Sequence, residues 1–242
     1  MKDMPDKVPH GGEYCSNLVR ARDEDRWLAA QYASVELKRA LMALYAFHGE
    51  LRRIPGAVSE PPLGEIRLQW WREALGEIVA GKASRAHPVV EEMSAAGIVR
   101  PEFMDAFEVA IDATARLLYG EGFHDIADLG AWLGKAEGSI DALAVRLAGD
   151  ADETASNALR AGGVFALARE GPSLAPNLIA DLAANLPPQW DAVRHGLRDV
   201  CASAAPAVLH LALTPAYVKR GGAPFPVVKR ANLFAAMAFG RF

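Results

Sequence analysis

The sequence predicts a single all-α domain, and three observations support this. Apolar residues make up 51% of the 242 residues, Ala and Leu dominate, and runs of β-branched residues are scarce. Apolar positions recur at helical spacing, as in residues 39–51. No stretch reads as a convincing strand, and no repeat period appears. We therefore expect one helical domain over residues 14–242, large enough for a substantial core, after a disordered polar tail at residues 1–13.

Prolines, glycines and capping residues predict where each helix begins and ends. The acidic run Asp23 to Asp25 can charge the start of the second helix, and Ser34 can cap the third. Pro55-Gly56 ends the third helix, and Asp125 or Asp128 starts the seventh. The expected helices are 14–22, 27–33, 35–51, 63–80, 89–95, 101–119, 125–147, 152–167, 177–185, 190–213 and 228–239.

Glycines and prolines inside the later helices predict weak points, close contacts and kinks. Gly138 lies within the seventh helix, and Gly162-Gly163 weakens the eighth by about 1 kcal/mol each relative to Ala. Such a glycine pair permits a close helix contact or a kink. Pro187-Pro188 is expected to start the tenth helix, which Pro206 would kink. Residues 214–226 are expected to form a loop.

The densest cluster of charged and aromatic side chains lies in residues 41–75, which hold two helices and a proline-broken link. Each helix carries an apolar stripe at helical spacing. The second helix carries a polar set on its opposite face, made of Glu65, Gln69, Arg72 and Glu73. Because residues three or four apart share one helix face, we expect these two helices to flank a cavity.

Two strings in this stretch carry a family resemblance. The sequence ALYAF occupies residues 43–47, and SEPPLGEIRLQWWREAL occupies residues 59–75. They resemble the squalene/phytoene synthase family, and within it the short bacterial branch related to a mitochondrial complex I assembly factor. Weaker likeness extends from Cys15 to Phe242. The resemblance implies an isoprenoid-synthase-like helical bundle around a central apolar cavity. Catalytic members of the family join two prenyl diphosphates head to head with magnesium.

The chain departs from the motifs that such chemistry needs. Magnesium neutralises the leaving diphosphate and is held by aspartates in two Asp-x-x-x-Asp motifs. The resemblance places the first motif on Arg52 to Gly56, without either aspartate. It places the second near Arg169-Glu170, and the diphosphate-holding Ser-Arg-x-Phe element on Asp23 to Arg26. An arginine 4 Å from a divalent ion costs about 2 kcal/mol even in water. Both magnesium motifs are therefore absent, and no metal site is expected at these positions.

Candidate site residues follow from charge and position. Arg52 and Arg53 suit a phosphate or carboxylate, or they serve the dipole at a helix C-terminus. His48 is a possible general base or a hydrogen-bonded core residue. The candidates for cavity lining or anion binding are His48, Glu50, Arg52, Arg53, Gln69, Arg72 and Glu73. The weak metal alternatives are Glu137 and Asp141, four residues apart on one helix, although such acid pairs usually lie on solvated faces.

Charge and composition limit the kinds of partner and the compartment that we expect for this protein. The last acidic residue is Asp199, and five basic residues follow it, so residues 219–242 are basic while the rest of the chain has 21 basic and 30 acidic residues. This tail suggests peripheral contact with a membrane or an acidic protein, or else a solvated helix. Cys15 and Cys201 form no disulfide framework, which favours a reducing compartment. We find no secretory signal, no membrane-spanning run, and nothing that predicts nucleic-acid binding.

Three functional hypotheses follow. The first is a squalene/phytoene-synthase-like protein that has lost prenyltransferase activity. It would serve as an assembly factor or scaffold for a respiratory complex, and could bind a prenyl or lipid chain with Arg52 and Arg53 at the cavity mouth. We expect no cofactor in that case, and a cytoplasmic location or a peripheral one at the inner membrane. The second is an active prenyltransferase with a relocated magnesium site. The third is a lipid or isoprenoid carrier. Fold resemblance alone does not separate them.

Overall fold

The computed structural model describes residues 11–240, and within this range the chain is helical and contains no strand, which confirms the all-α prediction. The α-helices of this range are α1 Gly11–Arg22, α2 Glu24–Ala30, α3 Val35–Arg53, α4 Pro61–Val79, α5 Pro88–Ala95, α6 Met104–Arg116, α7 Ile126–Leu133, α8 Ser139–Leu147, α9 Asp152–Leu174, α10 Ile179–Val193, α11 Ala205–Val208, α12 Thr214–Arg220 and α13 Pro226–Phe239. A π-helical turn, Gly134–Gly138, joins α7 to α8.

Side-chain caps fix several of the predicted helix starts. The Oγ of Ser34 accepts a hydrogen bond from the Leu37 N–H at 3.2 Å, as expected for the N-cap of α3. The Oδ1 of Asp125 accepts one from the Asp128 N–H at 2.8 Å and caps α7. Asp23 caps α2 through the N–H of Arg26 at 3.3 Å. The polar residues identified in the sequence therefore satisfy N–H groups that have no partner inside the helix.

The N-terminal helix begins earlier than expected. Residues 1–10 of the predicted tail lie outside the described residues, but Gly11 to Glu13 are helical, so the expected boundary after residue 13 is wrong. A Cβ at Gly11 would meet the carbonyl oxygen of Pro88 at 3.1 Å. The start of α1 therefore packs closely against α5, and this tertiary contact extends the helix beyond the range that local sequence favours.

The region after α9 differs most from the expectation. Pro187 and Pro188 lie inside α10, which ends at Val193, so the long helix expected over residues 190–213 is wrong. The apolar face of α10 continues across the prolines because Leu182, Leu186 and Trp190 are buried four residues apart. Pro206 lies in the first turn of the short helix α11, where a missing N–H is tolerated. The expected loop 214–226 contains α12.

Helix α9 lies at the centre of the fold and packs against α7, α8, α10 and α12. Glycines make its closest contact possible. A Cβ at Gly138 would collide with the carbonyl of Leu159, and a Cβ at Gly163 would lie 3.2 Å from the Cα of Gly134. The close helix contact predicted for Gly162-Gly163 is therefore present. It brings the π-helical turn and α8 against the face of α9 that points into the protein.

Aromatic packing fixes the other half of the core. Phe47 of α3 meets Trp71 of α4 and Phe107 of α6 edge-on, with ring centroids 5.2 and 5.3 Å apart. This packing turns the apolar face of α4 toward α6. No helix among the described residues combines the length and apolarity that a membrane span requires.

The glycine contact yields a stability prediction. Gly138→Ala is expected to lower the free energy of unfolding by more than about 2 kcal/mol, because the Leu159 carbonyl is backbone and cannot move aside cheaply. Thermal unfolding followed by circular dichroism measures the change. Gly130→Ala is the matched control, since a Cβ there meets nothing within 4 Å. It should stabilise the protein by about 0.5 to 1 kcal/mol through helix propensity. Similar destabilisation by both variants would contradict the close contact.

Candidate functional site

A cluster of charged side chains lies in the interior where α2, α3, α8 and α9 converge. We call it the buried charge cluster. Its members are Asp23, Asp25, Arg26, His48, Arg52, Glu137, Asp141, Arg169 and Glu170. All of these except Arg52 have side chains that are largely or completely buried. These helices therefore enclose a network of ion pairs at this place. The three chain segments that depart from the family motifs meet here in one ionic network.

Arg26 occupies the middle of the buried charge cluster and is 0% exposed. Its Nη1 donates to Oε2 of Glu137 at 2.9 Å, and its Nη2 donates to Oδ1 of Asp141 at 2.9 Å. Its guanidinium carbon also lies 5.3 Å from the ring centroid of Tyr45. A buried charge is tolerated only when it is paired and hydrogen-bonded. Arg26 meets this requirement by occupying the space between the two carboxylates.

Glu137 is shared among several cations. Its Oε1 lies 3.2 Å from Nε2 of His48 and 3.2 Å from Nη1 of Arg52. Burial by itself raises the pKa of Glu137, but the neighbouring His48, Arg52 and Arg26 outweigh it and hold this pKa well below its ordinary value. Glu137 is therefore an ionised carboxylate at neutral pH whose oxygens are already engaged.

Arg52, the residue in place of the first motif's aspartate, is neutralised by the protein itself. Its two terminal nitrogens donate to the two oxygens of Glu170 at 2.7 and 2.6 Å. Arg169 donates to Glu170 at 2.7 Å and to Asp23 at 2.8 Å. Burial raises the pKa of Asp23, but Arg169 and Arg26 together lower it below its ordinary value. Arg52, which was expected to bind an external anion or to serve the helix dipole, thus binds a carboxylate of this chain.

The C-terminal helix closes one side of the buried charge cluster. Lys229 of α13 is 7% exposed, and its Nζ lies 2.7 Å from Asp25 and 3.2 Å from Glu24. The hydroxyl of Tyr217 donates to the second oxygen of Asp25 at 2.5 Å. Burial, and then the charge of Asp25, raise the pKa of Tyr217. Lys229 was expected to face a partner as part of the basic tail, and this is wrong because its charge compensates a buried aspartate.

Two buried side chains at the centre of the cluster, Asp141 and His210, have polar atoms without a hydrogen-bond partner among the described residues. Oδ2 of Asp141 has no hydrogen-bond partner among the described residues, although the residue is fully buried. Nε2 of the buried His210 lies 3.2 Å from the other oxygen of Asp141. The carboxyl group of Asp141 therefore contacts Arg26 and His210 through one oxygen, while its second oxygen faces the backbone of Gly162.

Part of the expected candidate set comes together at this place. His48, Arg52 and Arg53 line a pocket of about 290 Å³ with Arg22 and Asp23. His48 is 4% exposed and lies 3.3 Å from Nη1 of Arg26 through its Nδ1, so it is a buried, hydrogen-bonded residue at the wall of this pocket. Arg53 pairs with Glu50 at 3.0 Å, and both residues also line a second pocket of about 320 Å³ beside Trp70 and Trp71. A polar pocket of about 420 Å³ lies beside the first and is lined by Arg52, Arg169 and Lys229 among others.

The candidates on α4 do not join the buried charge cluster. Arg72 pairs with Glu108 at 2.9 Å and with Asp112 at 2.5 Å on the outside of α6. Glu73 pairs with Arg85 at 3.0 Å and accepts a hydrogen bond from Gln69 at 3.3 Å. Helices α3 and α4 do flank a pocket of about 320 Å³, but its α4 wall is formed by Ile66, Arg67, Trp70 and Trp71 and not by these polar candidates. The apolar face of α4 faces the core, so its polar face lies on the surface.

The donor set does not fit a magnesium ion. Mg²⁺ takes near-octahedral oxygen ligands from carboxylates, phosphates and water. The weak alternatives Glu137 and Asp141 do share one side, as their spacing predicted, but Arg26 lies between them. Among residues 11–240, no group of three or more His, Cys, Asp or Glu side chains has the geometry for a metal ion. Placing a divalent ion here would require displacing a guanidinium.

Sequence reasoning missed four members of this arrangement. Arg26 was recognised only as part of an acidic run that would repel a diphosphate, and its pairing with Glu137 and Asp141 was not expected. A usable signal existed, because two carboxylates on a glycine-lined buried helix require a counter-charge. For His210, Tyr217 and Lys229 we find no such signal. Each lies at least 60 residues from its partner in the chain.

Comparison with known proteins gives one family and two sets of relatives. The squalene/phytoene synthase family model matches residues 19–169. Among curated proteins, the NADH dehydrogenase (ubiquinone) complex I, assembly factor 6 of Rattus norvegicus is 27% identical over 170 residues, which is 68% of this chain and 50% of that protein. The Homo sapiens protein of the same name is 26% identical over 164 residues, covering 66% and 49%. The chain thus spans about half the length of the curated relatives it matches.

Solved structures show the same fold at lower sequence identity. A dehydrosqualene synthase in complex with ligand superposes with a TM-score of 0.66 at 15% identity, over 95% of this chain and 96% of that one. The squalene synthase HpnC from Alicyclobacillus acidocaldarius superposes with a TM-score of 0.68 at 15% identity, over 95% and 94%. The isoprenoid-synthase-like bundle implied by the resemblance is confirmed by these likenesses.

The position of Arg26 yields a second stability prediction. Arg26→Met is expected to lower the free energy of unfolding by about 3 to 5 kcal/mol, because it leaves buried carboxylates without their counter-charge. Urea unfolding at pH 7 measures the loss. Arg72→Met removes an arginine whose two carboxylate partners are largely exposed. It should cost about 1 kcal/mol or less. Comparable losses in the two variants would show that burial of the ion pair contributes nothing.

The difference in free energy of unfolding between wild type and Arg26→Met should depend on pH. The pKa values of Glu137 and Asp23 are lowered in the folded state. Their stabilisation is therefore complete above their unfolded-state pKa of about 4 and is lost as the pH falls through the lower folded-state values. We expect the gap between wild type and Arg26→Met to narrow as the pH falls below about 4, because a protonated carboxyl no longer needs the guanidinium. A gap independent of pH would indicate that Arg26 acts by packing alone.

Proposed function

This chain belongs to the squalene/phytoene synthase family, and we propose that within it the protein is a non-catalytic assembly factor or scaffold for a respiratory NADH dehydrogenase complex. The observation that carries the non-catalytic part is the buried salt bridge of Arg26 with Glu137 and Asp141. It occupies the interior position at which the family resemblance implies metal and diphosphate chemistry.

Electrostatics supports this interpretation. A guanidinium 4 Å from a divalent ion costs about 2 kcal/mol in water and about 8 kcal/mol at an effective dielectric constant near 20. Arg26, Arg52 and Arg169 all lie within the buried charge cluster, so a bound magnesium ion would meet several such repulsions. A diphosphate would have to compete for these arginines with Glu137, Glu170 and Asp23. Each of these carboxylates has an oxygen within 3.3 Å of an arginine nitrogen. Both components of the reaction are thus disfavoured by the residues present.

The assembly role is supported by the relatives. The curated proteins that match the chain carry the name of complex I assembly factor 6. A protein that organises partners needs a stable fold and exposed surfaces, and it does not need a substrate-sized interior. A buried network of ion pairs in place of a reactive cavity is consistent with that requirement. The partner we propose is a subunit of the respiratory complex.

A lipid or prenyl ligand is the second candidate, and one pocket favours it. An open apolar pocket of about 480 Å³ lies between α6, α7, α9 and α10, with Leu159, Val164 and Leu167 in its wall. Its volume falls in the range of small-molecule sites. The cations near it are Lys135 and Arg160, whereas Arg53 lines a separate pocket of about 320 Å³ together with Trp70 and Trp71. A carrier would use this pocket without chemistry.

An activity assay tests the non-catalytic part. Purified protein incubated with radiolabelled farnesyl or geranylgeranyl diphosphate and magnesium should release no diphosphate and form no condensation product above a protein-free control. The physical reason is the repulsion of the metal by Arg26 and Arg52. A dehydrosqualene synthase assayed in parallel shows that the substrates are competent. Turnover that Asp141→Asn abolishes would establish the rival prenyltransferase with a relocated metal site.

A genetic rescue tests the assembly part. Deletion of the gene in its host should reduce the amount of assembled NADH dehydrogenase on native gels, and a tagged copy should co-purify with a subunit of that complex. Asp141→Asn, if its folding is verified by circular dichroism, should rescue assembly as well as wild type does, because a scaffold needs no carboxylate chemistry. A normal level of the assembled complex in the deletion strain would contradict the proposal.

A further inference from the structure

The C-terminal helix α13 is apolar on two opposite sides. Its inner side packs on α2 and on residues 209–213 through Lys229, Leu233 and Ala236, which are buried. Its outer side consists of Val227, Ala231, Phe234 and Ala238, which are exposed and lie four, three and four residues apart. We call these four residues the α13 outer face. Val227 is 73% exposed and Phe234 is 61% exposed, so both large side chains stand in solvent.

Such a helix requires a second contact. A surface helix normally places polar residues opposite its core-facing stripe, and a helix that is apolar on all sides is normally covered. Phe225, 59% exposed, and Met237, 37% exposed, border the α13 outer face and enlarge the apolar surface. Contiguous apolar patches of this kind mark contacts with another protein or a membrane.

The charges around the α13 outer face identify the kind of surface that it contacts. Arg220 lies over the ring of Phe225, with its guanidinium carbon 3.8 Å from the ring centroid. Arg230 lies next to Ala231 on α13, Lys219 precedes Arg220 in the sequence, and all three basic residues are exposed. No acidic residue follows Asp199 in the sequence. Amphipathic segments with basic residues beside exposed Phe side chains bind at the interface of anionic membranes.

We propose that the α13 outer face docks on an anionic lipid bilayer, with α13 lying in the plane of the interface and the rest of the protein above it. Phe234 and Val227 enter the boundary between headgroups and acyl chains, while Lys219, Arg220 and Arg230 contact lipid phosphates. The proposal makes the suggested peripheral location specific to one face, and it does not depend on the assembly role.

Two other occupants fit less well. A second copy docked through the same face would bring two sets of Lys219, Arg220 and Arg230 together without acidic partners, and like charges repel. The two acidic residues Asp25 and Glu24, which contact α13, already pair with Lys229. A protein partner would need an apolar groove with an acidic rim, and the test below identifies it.

Vesicle sedimentation with the full-length protein tests the proposal. Vesicles of phosphatidylcholine alone are compared with vesicles containing about 30% phosphatidylglycerol at 0.1 M salt. We expect binding to the anionic vesicles and weaker binding at 0.5 M salt, because screening shortens the reach of the basic residues. The double variant Val227→Ser and Phe234→Ser should bind at least about tenfold more weakly, since it removes two apolar side chains from the interface.

A matched control variant tests whether the loss of binding depends on where the exposed apolar side chains lie. Val35 and Ile66 are 78% and 66% exposed on α3 and α4, away from α13. The double variant Val35→Ser and Ile66→Ser should bind vesicles as wild type does. Arg230→Glu should weaken binding to anionic vesicles by about fivefold or more, since each basic residue near an anionic surface contributes about that factor.

Four results would overturn the proposal. One is equal sedimentation of wild type and the Val227/Phe234 variant. Another is equal binding to neutral and anionic vesicles. A third is a dimer in analytical ultracentrifugation that the same variant converts to a monomer, which would make a second copy the occupant. A fourth is failure to bind vesicles while the variant loses co-purification with the respiratory complex subunit, which would make a protein the occupant. Failure of vesicle binding alone leaves the assembly role standing, and loss of assembly in the rescue experiment leaves vesicle binding unaffected.

Discussion

Burial of one arginine between two carboxylates is the constraint on which this structure depends. Arg26 joins α2 to Glu137 in the π-helical turn and to Asp141 in α8, at 2.9 Å in each case. Taking three charges out of water costs several kcal/mol per ion, and only close, multiply hydrogen-bonded geometry offsets it. The surrounding helices are therefore held at fixed separations. Around this centre, Arg52 from α3 and Arg169 from α9 complete the charge compensation, so five elements share one ionic network.

The same constraint limits what the interior can do. A cavity for a prenyl diphosphate needs free carboxylates for metal ions and open apolar space for the chain, whereas here Arg26 lies between Glu137 and Asp141 and engages both carboxylates. The family fold is retained over nearly the whole length of the solved structures it resembles, and a shared fold does not by itself carry the chemistry of its catalytic members. What varies freely in such a protein is its surface. The outer side of α13 and the open apolar pocket beside α9 are the surfaces where recognition is supported.

Much of the fold could be predicted, because it depends on local patterns. Apolar spacing and caps such as Ser34 and Asp125 located the early helices within a few residues, and Gly162-Gly163 correctly indicated a close contact. The errors cluster after α9. There the prolines at 187 and 188 suggested a helix start, yet buried leucines on one face of α10 carry the helix through them. Tertiary packing outweighs local propensity when an apolar stripe is continuous.

The candidate site was predictable only in part. The strings at residues 43–47 and 59–75 were enough to indicate the family. The residue types at Arg52 and at Arg169-Glu170 were enough to indicate that both aspartate motifs are missing. Both conclusions depend only on short segments of sequence. Only the tertiary structure decided that Arg26 meets Glu137 and Asp141, which are 111 and 115 positions away. The physical reason is that buried charges choose their partners by the geometry of packed helices, and spacing along one chain segment does not encode distances between segments.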